Sequence, residues 1–416
     1  MRRLVRFVAC GLVLASAIAG CGDASRDFSP TVLTHGPAPT GTPIKIGLIY
    51  TATGGFEVFR PAKTVADGWA DWINLEQGGV NGHPVEIVAI DDKGSGDAAT
   101  AAGRQLVEQD KVQAVIYESP VAGALLTPYF EQNGIPVIGG NSADLEVTKT
   151  GEGVFAASTQ GLVSRIGPML VSQAVGLKSI AEVVCSETPS CELVGEEMRQ
   201  QAARAGVEYL GTVKVGEADP SLIGPCLQLA EWNPETLGLS TSITLAKRLI
   251  PECRLQGYQG KYIVYSHTAN DVDIPKLRVE PVLLQVSGFP WWADAEPVAQ
   301  FRDVLHRYTG DVTLGVTATT TWTALELFRK AMSTGPAAEV PVQALDVLAS
   351  FKRIKNETLD GLLSQPVDFT GSAPYASMNC FWVAQYSNHK YTVIPPRGDS
   401  GNGATGDLAS TCYQPQ

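Results

Sequence analysis

From residue 44 onward, the chain alternates short β-branched runs with longer runs whose apolar residues recur at helical spacing. The run at residues 44–50 reads as a buried strand. The stretch that follows it carries Val65, Trp69, Trp72 and Ile73 on one helical face. Strands that alternate with helices predict a parallel sheet covered by helices on both faces. The pattern therefore indicates an α/β fold.

The alternation runs through two successive series. We expect strands at residues 44–50, 85–90, 112–117, 135–138, 179–185, 207–215, 261–266 and 282–288, and helices at residues 58–76, 97–109, 123–134, 192–206, 296–310 and 318–335. The end of the chain changes character, with short predicted strands at residues 366–369, 379–387 and 390–395 and a hairpin turn at Asn388 and His389. These predict two α/β lobes with a small antiparallel addition.

Length and charge support this organisation. The chain has 416 residues. A single hydrophobic core is usually smaller than this, so two lobes are expected.

The formal net charge of -12, without clustered Lys and Arg, argues against a nucleic-acid partner. In such sheets ligands bind beyond the carboxyl ends of the strands, so two facing lobes predict one cleft between them.

The N-terminus indicates export. Arg2, Arg3 and Arg6 precede a mostly apolar run at residues 7–20. Because a spanning helix needs about 20 apolar residues, we expect a signal peptide at residues 1–20 rather than a membrane span. The segment Ile18 to Cys21 resembles the lipobox of bacterial lipoproteins, which implies cleavage before Cys21 and lipid on its thiol. An ordinary signal peptide with a chance cysteine is the alternative.

The residues after Cys21 and the remaining cysteines fit an exported protein. Residues 21–43 are rich in Gly, Pro, Ser and Thr and predict a flexible tether. Without Cys10 and Cys21, an even six cysteines remain, which favours disulfides. Fifteen pairings are possible, and the order along the chain favours Cys185 with Cys191, Cys226 with Cys253, and Cys380 with Cys412. A metal site is the rival, but no CxxC or Cys/His ligand spacing occurs.

The sequence predicts no cofactor, metal or catalytic residue. Residues 94–99 match a dinucleotide-binding glycine pattern, but Asp91, Asp92 and Asp97 surround the loop with negative charge, which disfavours a pyrophosphate. The five histidines are scattered, and neither HExxH nor GxSxG occurs.

Three segments carry a family likeness, namely "IKIGLIYTATGGF", "EQGGVNGHPVEIVAIDDKGSGDAATAAGRQLVEQDKVQAVI" and "EQNGIPVIGGNSADL". They resemble the first lobe of type I periplasmic binding proteins, most closely the receptors of ABC importers for leucine, isoleucine, valine, amides and small carboxylates. The resemblance implies two Rossmann-like lobes joined by three crossing segments, which close on ligand by a hinge. It extends more weakly to about residue 396.

The crossings are expected near residues 155–158, 288–290 and 356–363. This predicts an N-terminal lobe of residues 44–156 and 289–355 and a C-terminal lobe of residues 157–288 and 356–396. Residues 397–416 would form a tail tied back by a disulfide.

The resemblance also implies a set of ligand-binding positions in the loops after the strands. They are Phe56 or Phe59 as an aromatic cover; Glu118, Ser119, Val121 and Ala122 in one loop; Asn141 and Ser142 in the next; and, in the second lobe, Ser186, Glu187, Ser240, Thr241 and His267. Apart from the resemblance, Trp291 could stack on a planar ligand, whereas packing at the hinge is the alternative.

Two positions depart from the family pattern. Pro120 removes an N–H donor from the loop that would hold a carboxylate, and His267 stands where an acidic partner for an α-amino group is expected. Glu118 or Glu187 could still hold an ammonium, and His267 could bind a carboxylate or an amide. An ordinary branched-chain amino acid is therefore a doubtful ligand.

Together these features predict an outward-facing, lipid-anchored receptor in the extracytoplasmic space. We expect a monomer that captures a small polar or amphipathic molecule and delivers it to the membrane permease of an ABC importer. A ligand-sensing receptor without a transport role, and an enzyme that uses the same cleft, are the alternatives.

Overall fold

The computed structural model describes residues 36–54, 57–139, 151–159, 161–187, 189–372, 375, 378–397, 401 and 406–413. Residues 35–416 form one compact unit. Within it the described chain builds two sheets with helices packed against them. The predicted α/β class with two lobes is confirmed.

The first lobe is built on a parallel sheet of five strands in the order β2-β1-β3-β4-β5. The strands are β1 (Ile44–Tyr50), β2 (Val85–Asp91), β3 (Ala114–Glu118), β4 (Val137–Ile138) and β5 (Val154–Phe155). In β1, Tyr50 lies opposite both Asp91 of β2 and Glu118 of β3. The carboxyl ends of these three strands are therefore level with one another.

Helices cover both faces of this sheet because the side chains of each strand alternate between them. The helices are α1 (Pro61–Glu76), α2 (Gly96–Arg104) and α3 (Ala122–Gln132). Ile116 of β3 is buried in one core with Trp69 of α1, whereas Val115 and Tyr117 are buried in another with residues of α2 and α3. A short π-helical stretch, Gln105–Asp110, extends α2.

The second lobe is built on a mixed sheet in the order β12-β11-β10-β9-β8-β6-β7, with β13 paired to β11. Its strands are β6 (Ser179–Cys185), β7 (Glu208–Val215), β8 (Thr236–Ser240), β9 (Lys261–Val264), β10 (Val282–Val286), β11 (Cys380–Ser387), β12 (Lys390–Ile394) and β13 (Thr411–Cys412). Strands β6 to β10 are parallel, and the later strands pair antiparallel. The antiparallel addition at the end of the chain is thus present.

The helices that follow β5 and precede β10 are α4 (Leu162–Arg165), α5 (Gly167–Val175), α6 (Pro189–Ala205), α7 (Ile223–Trp232) and α8 (Ile243–Leu255). Gly206 has a positive φ and ends α6, as the sequence predicts. The α5 face, with Met169 and Leu170, is buried against Ile180 and Val184 of β6.

After β10 the chain returns to the first lobe. Helices α9 (Glu296–Thr309) and α10 (Val316–Met332) pack on α1, and α11 (Ala344–Phe351) packs on α10. Trp322 of α10 stacks on Trp72 of α1 at a ring distance of 5.7 Å. The chain therefore passes between the two lobes three times, while the residue limits of the lobes stay a prediction.

The crossing segments lie side by side. Thr159 donates its N–H to the Ser287 carbonyl at 3.4 Å, and its hydroxyl donates to the Cys380 carbonyl. Gly288 lies so close to α10 that an added Cβ would stand 2.1 Å from Thr319 Oγ1. Only a glycine allows this approach of the second crossing to α10.

The described residues contain three disulfides, Cys185 to Cys191, Cys226 to Cys253 and Cys380 to Cys412. They are the pairs that the order of the cysteines favours. The last of them joins neighbours in the β11–β13 ladder, because Cys380 and Cys412 are register partners.

The predicted strand at residues 366–369 is wrong. Val367 forms only an isolated bridge with Glu357. Asp368 instead accepts the N–H of Thr370 at 2.9 Å, which turns the chain. The predicted hairpin turn is correct, because Asn388 and His389 both have a positive φ between β11 and β12.

Candidate functional site

The carboxyl ends of the first three strands are tied together by Asp92, which is fully buried. Its carboxylate accepts the Thr51 hydroxyl at 2.6 Å and the Gly94 N–H at 3.0 Å, and it also accepts the Ser119 hydroxyl. A carboxylate that accepts several hydrogen bonds fixes the loops that donate them. Asp92 thus fixes the loops at the carboxyl edge of the first-lobe sheet.

The loop after β3 uses its own polar groups. Besides donating to Asp92, Ser119 Oγ accepts the N–H groups of Val121 and Ala122, each at 3.1 Å. These bonds place the start of α3. The proposed contacts of Ser119, Val121 and Ala122 with a ligand stay predictions, and they would have to compete with these internal bonds.

Glu118 ends β3 with a fully buried side chain. Its Oε1 accepts the Thr320 hydroxyl of α10 at 2.7 Å. Burial raises the pKa of Glu118 to about 8, against smaller opposing effects of the Thr320 and Thr321 hydroxyls. This carboxyl is therefore largely protonated at neutral pH.

The N-terminal turn of α10 meets the second lobe. Val316 donates its N–H to the Ala269 carbonyl at 3.1 Å, and Gly315 forms a bridge with Asn270. Just before Ala269 and Asn270, a short 3-10 helix spans Ser266–Thr268 after β9. The loop after β9 and the start of α10 thus form a contact between the lobes.

His267 lies in that 3-10 helix and faces the first lobe. Its ring lies 5.5 Å from the ring of Phe59 and 5.8 Å from that of Tyr265. His267 is 6% exposed and Phe59 is 4% exposed. Burial lowers the pKa of His267 to about 4, so its imidazole is neutral at physiological pH. The structure therefore brings together Phe59 and His267 from opposite lobes.

Ser240 ends β8 and Thr241 follows it, and each bonds within the second lobe. Ser240 donates its hydroxyl to Glu182 Oε1 at 2.6 Å, and Thr241 donates to the Ser242 carbonyl at 3.2 Å. Glu182 is fully buried, and burial raises its pKa to about 8. Ser240 thus contacts a buried carboxyl within the second-lobe sheet.

Ser186 and Glu187 are exposed at the end of β6. The Glu187 carboxylate accepts the N–H of Ser186 at 2.9 Å and that of Glu217 at 2.6 Å. These contacts hold the loop after β6 to the loop after β7. Strand β7 is the edge strand of the sheet.

Trp291 is 2% exposed and packs edge-on against Trp292 and Tyr391. Arg302 donates to the Trp291 carbonyl at 2.7 Å. The rings join the second crossing to β12, which favours the packing role of Trp291 over ligand stacking.

Three of the predicted ligand-binding residues, Phe56, Asn141 and Ser142, lie outside the described residues. The sequence analysis did not single out Thr317 or Ser158, whose buried hydroxyls have no hydrogen-bond partner among the described residues. The threonine-rich start of α10 was the available signal, but such residues more often cap or pack.

The described part of the chain holds no group of three or more His, Cys, Asp or Glu side chains placed to bind a metal ion. Nor does any helix in that part have the length and apolarity that a bilayer crossing requires.

The family model described as "Periplasmic binding protein" matches residues 43–390. A search of curated proteins finds no match.

Many solved structures share the fold. The leucine-binding protein LivK of Thermotoga maritima is 17% identical, with a TM-score of 0.68 over 84% of this chain and 97% of that chain. The substrate-binding protein LivJ of Streptococcus pneumoniae, solved in complex with isoleucine, is 17% identical. Its TM-score is 0.65, and the match covers 85% of this chain and 99% of that chain. A solute-binding protein of an ABC transporter from R. palustris, in complex with benzoate, is 13% identical, with a TM-score of 0.68 over 89% and 98%.

Proposed function

The chain belongs to the periplasmic binding protein family, and from this premise we propose that it captures a small polar or amphipathic molecule between its two lobes. The observation that carries the proposal is the contact of Phe59 with His267. Both side chains are buried, they come from opposite lobes, and they lie in the short 3-10 helices that follow β1 and β9. A ligand bound there would touch both lobes and favour their closed arrangement.

The ligand class comprises amino acids, amides and small carboxylates. Neighbours of the same fold were solved with isoleucine and with benzoate, so the fold accommodates ligands of this size. The proposal includes no catalysed reaction, because the family consists of solute-binding receptors. Affinity would arise from apolar contacts with Phe59 and from polar groups satisfied by the correct ligand.

We further propose that the protein is exported, cleaved before Cys21 and anchored in the membrane by lipid on that cysteine. A tether of about twenty residues would hold the monomeric receptor near the permease of an ABC importer. The closed form would be the one that the permease recognises.

Thermal unfolding of residues 35–416 against amino acids, amides, short acids and aromatic acids tests the proposal. A ligand at a hundredfold excess over its dissociation constant is expected to add about 2.7 kcal/mol to the free energy of unfolding. Thermal unfolding of variants with the best ligand tests the second-lobe residues. His267→Ala and Glu187→Ala are expected to weaken the best ligand, whereas His389→Ala in the exposed hairpin serves as the control.

If no compound shifts the transition and a substrate is turned over instead, the receptor function is refuted. If the affinity is unchanged in both His267→Ala and Glu187→Ala, the assignments in the second lobe are wrong.

A further inference from the structure

The Glu118 carboxyl has an unusual environment for a buried acid. Oε1 accepts the Thr320 hydroxyl, whereas Oε2 has no hydrogen-bond partner among the described residues. Nor does any Lys, Arg or His in those residues form an ion pair with it. Because a buried carboxylate without a cation is costly, the protonated acid is the stable form. A protonated carboxyl both donates and accepts a hydrogen bond.

Thr317 lies on the same face of α10. Residues 317, 320 and 321 are spaced three and four apart, so their side chains lie together. Thr320 contacts Glu118, which places Thr317 one turn nearer the helix N-terminus. Its hydroxyl is buried, at 3% exposure, and is without a hydrogen-bond partner in the described part of the chain.

This turn of α10 belongs to the contact between the lobes. Val316, next to Thr317, donates to Ala269, two residues after His267. His267 itself has no charge at neutral pH and lies against the apolar ring of Phe59. The residues around this contact between the lobes thus combine apolar surface with uncharged groups that can donate and accept hydrogen bonds.

We propose that the ligand is an uncharged molecule whose head group donates and accepts hydrogen bonds, of the carboxamide kind, and that Glu118 and Thr317 bind this head group. This inference rests on the proposed function and narrows its ligand class. A carboxamide can accept the O–H of the Glu118 acid and donate its N–H groups to carboxyl and hydroxyl oxygens. The positive end of the α10 dipole favours the partly negative amide oxygen. An ammonium or carboxylate would instead bury a net charge.

On the first-lobe side of this contact, Glu118 has a pKa of about 8 and titrates between pH 6 and 9. Tyr50, its neighbour in β1, has a pKa raised by burial, and the pKa of His267 is lowered to about 4. Asp92 accepts hydrogen bonds from the strand ends. Glu326, farther along α10, binds Trp69 and Arg329. Glu182 of the second lobe also has a pKa raised to about 8, so the comparison of wild type with Glu118→Gln assigns a change of ligand affinity in this range to Glu118.

Calorimetric titration of residues 35–416 with two matched sets of probes tests the inference. One set is benzamide, benzoate and benzylamine; the other is 4-methylpentanamide, 4-methylpentanoate and 3-methylbutylamine. At pH 6.5 an amide is expected to bind at least about tenfold more tightly than the charged members of its set. Its affinity should fall above about pH 8, by about tenfold per pH unit, as Glu118 ionises.

Variants separate binding from folding. Glu118→Gln retains a donor and an acceptor, so it should keep amide affinity within about threefold but remove the fall above pH 8. Thr317→Val should weaken amide binding by about fivefold or more, because a buried hydrogen bond is lost. Thr323→Val is the matched control, since the Thr323 hydroxyl donates to the Thr319 carbonyl within the same helix.

Tighter binding of a carboxylate or an amine would overturn this inference and leave the proposed function standing. A pH profile that is the same in Glu118→Gln and wild type would overturn it as well. If no compound in either set or in the wider panel binds, the proposed function fails and the inference fails with it.

Discussion

At the scale of single residues, Glu182 shows how one buried carboxyl constrains its neighbours. It lies in the middle of β6, and an added Cβ on Gly238 of the adjacent β8 would stand 1.8 Å from its Oε2. Gly238 thus makes room for the carboxyl. Ser240, at the end of β8, donates to the other oxygen. The two residues explain why a polar side chain is tolerated inside a sheet.

Glu182→Gln is expected to flatten the pH dependence of stability. Burial raises the pKa of Glu182 to about 8, above its ordinary value of 4.5. Between these values the native state binds more protons than the unfolded state, so the stabilisation is complete below about pH 4.5 and is lost as the pH rises through 8. In this range, each added pH unit lowers the free energy of unfolding by on the order of 1 kcal/mol.

Urea unfolding at pH 5, 6, 7 and 8 measures this effect. The free energy of unfolding should fall less steeply with pH in Glu182→Gln than in wild type. In Glu86→Gln, at an exposed position of β2, it should fall as in wild type. Parallel curves for Glu182→Gln and wild type would show that the buried carboxyl does not control the profile.

The residue scale is also where sequence analysis reaches its limit. The position of Ser119 at a strand end was predictable, but its bond to Asp92 joins residues 27 positions apart. Likewise, the contact of Phe59 with His267 depends on how the lobes meet. No local pattern encodes such pairings, so the ligand roles of these side chains were inferred only by resemblance.

At the scale of elements, most strands and helices were predictable because their periodicities differ. The alternation of β1, α1 and β2 follows from apolar spacing alone. α10 was harder, since five threonines in its first half are buried. Thr319, Thr321 and Thr323 donate to carbonyls one turn earlier, and Thr320 donates to Glu118. These bonds satisfy the hydroxyls and permit burial. A threonine run gives no sign of this from sequence.

The disulfides should stabilise the protein according to the length of chain they enclose. Cys226 and Cys253 join α7 to α8 across 27 residues, whereas Cys185 and Cys191 are 6 residues apart. Loop-closure entropy predicts losses of about 4 and about 2 kcal/mol when each pair is replaced by alanine. Urea unfolding of the two double variants measures both, and a larger loss for the short loop would contradict this account.

At the scale of the whole molecule, the two-lobe architecture follows from two successive series of strands and helices. The return of α9 and α10 to the first lobe could not be derived from periodicity; it was expected from the family resemblance. The helices pack there because α1 presents Trp69 and Trp72 to α10, where Glu326 accepts the Trp69 N–H at 2.7 Å. We propose that the ligand binds between the lobes that these crossings join.

A crystal structure of residues 35–416 with the best ligand of the thermal panel tests the central claim most directly. We expect the ligand between the lobes, in contact with Phe59 and Glu118 on one side and His267 on the other. A ligand bound instead on one lobe, or in the surface pocket of about 460 Å³ lined by Asp271 and Arg302, would contradict the claim that this protein captures its ligand between the two lobes.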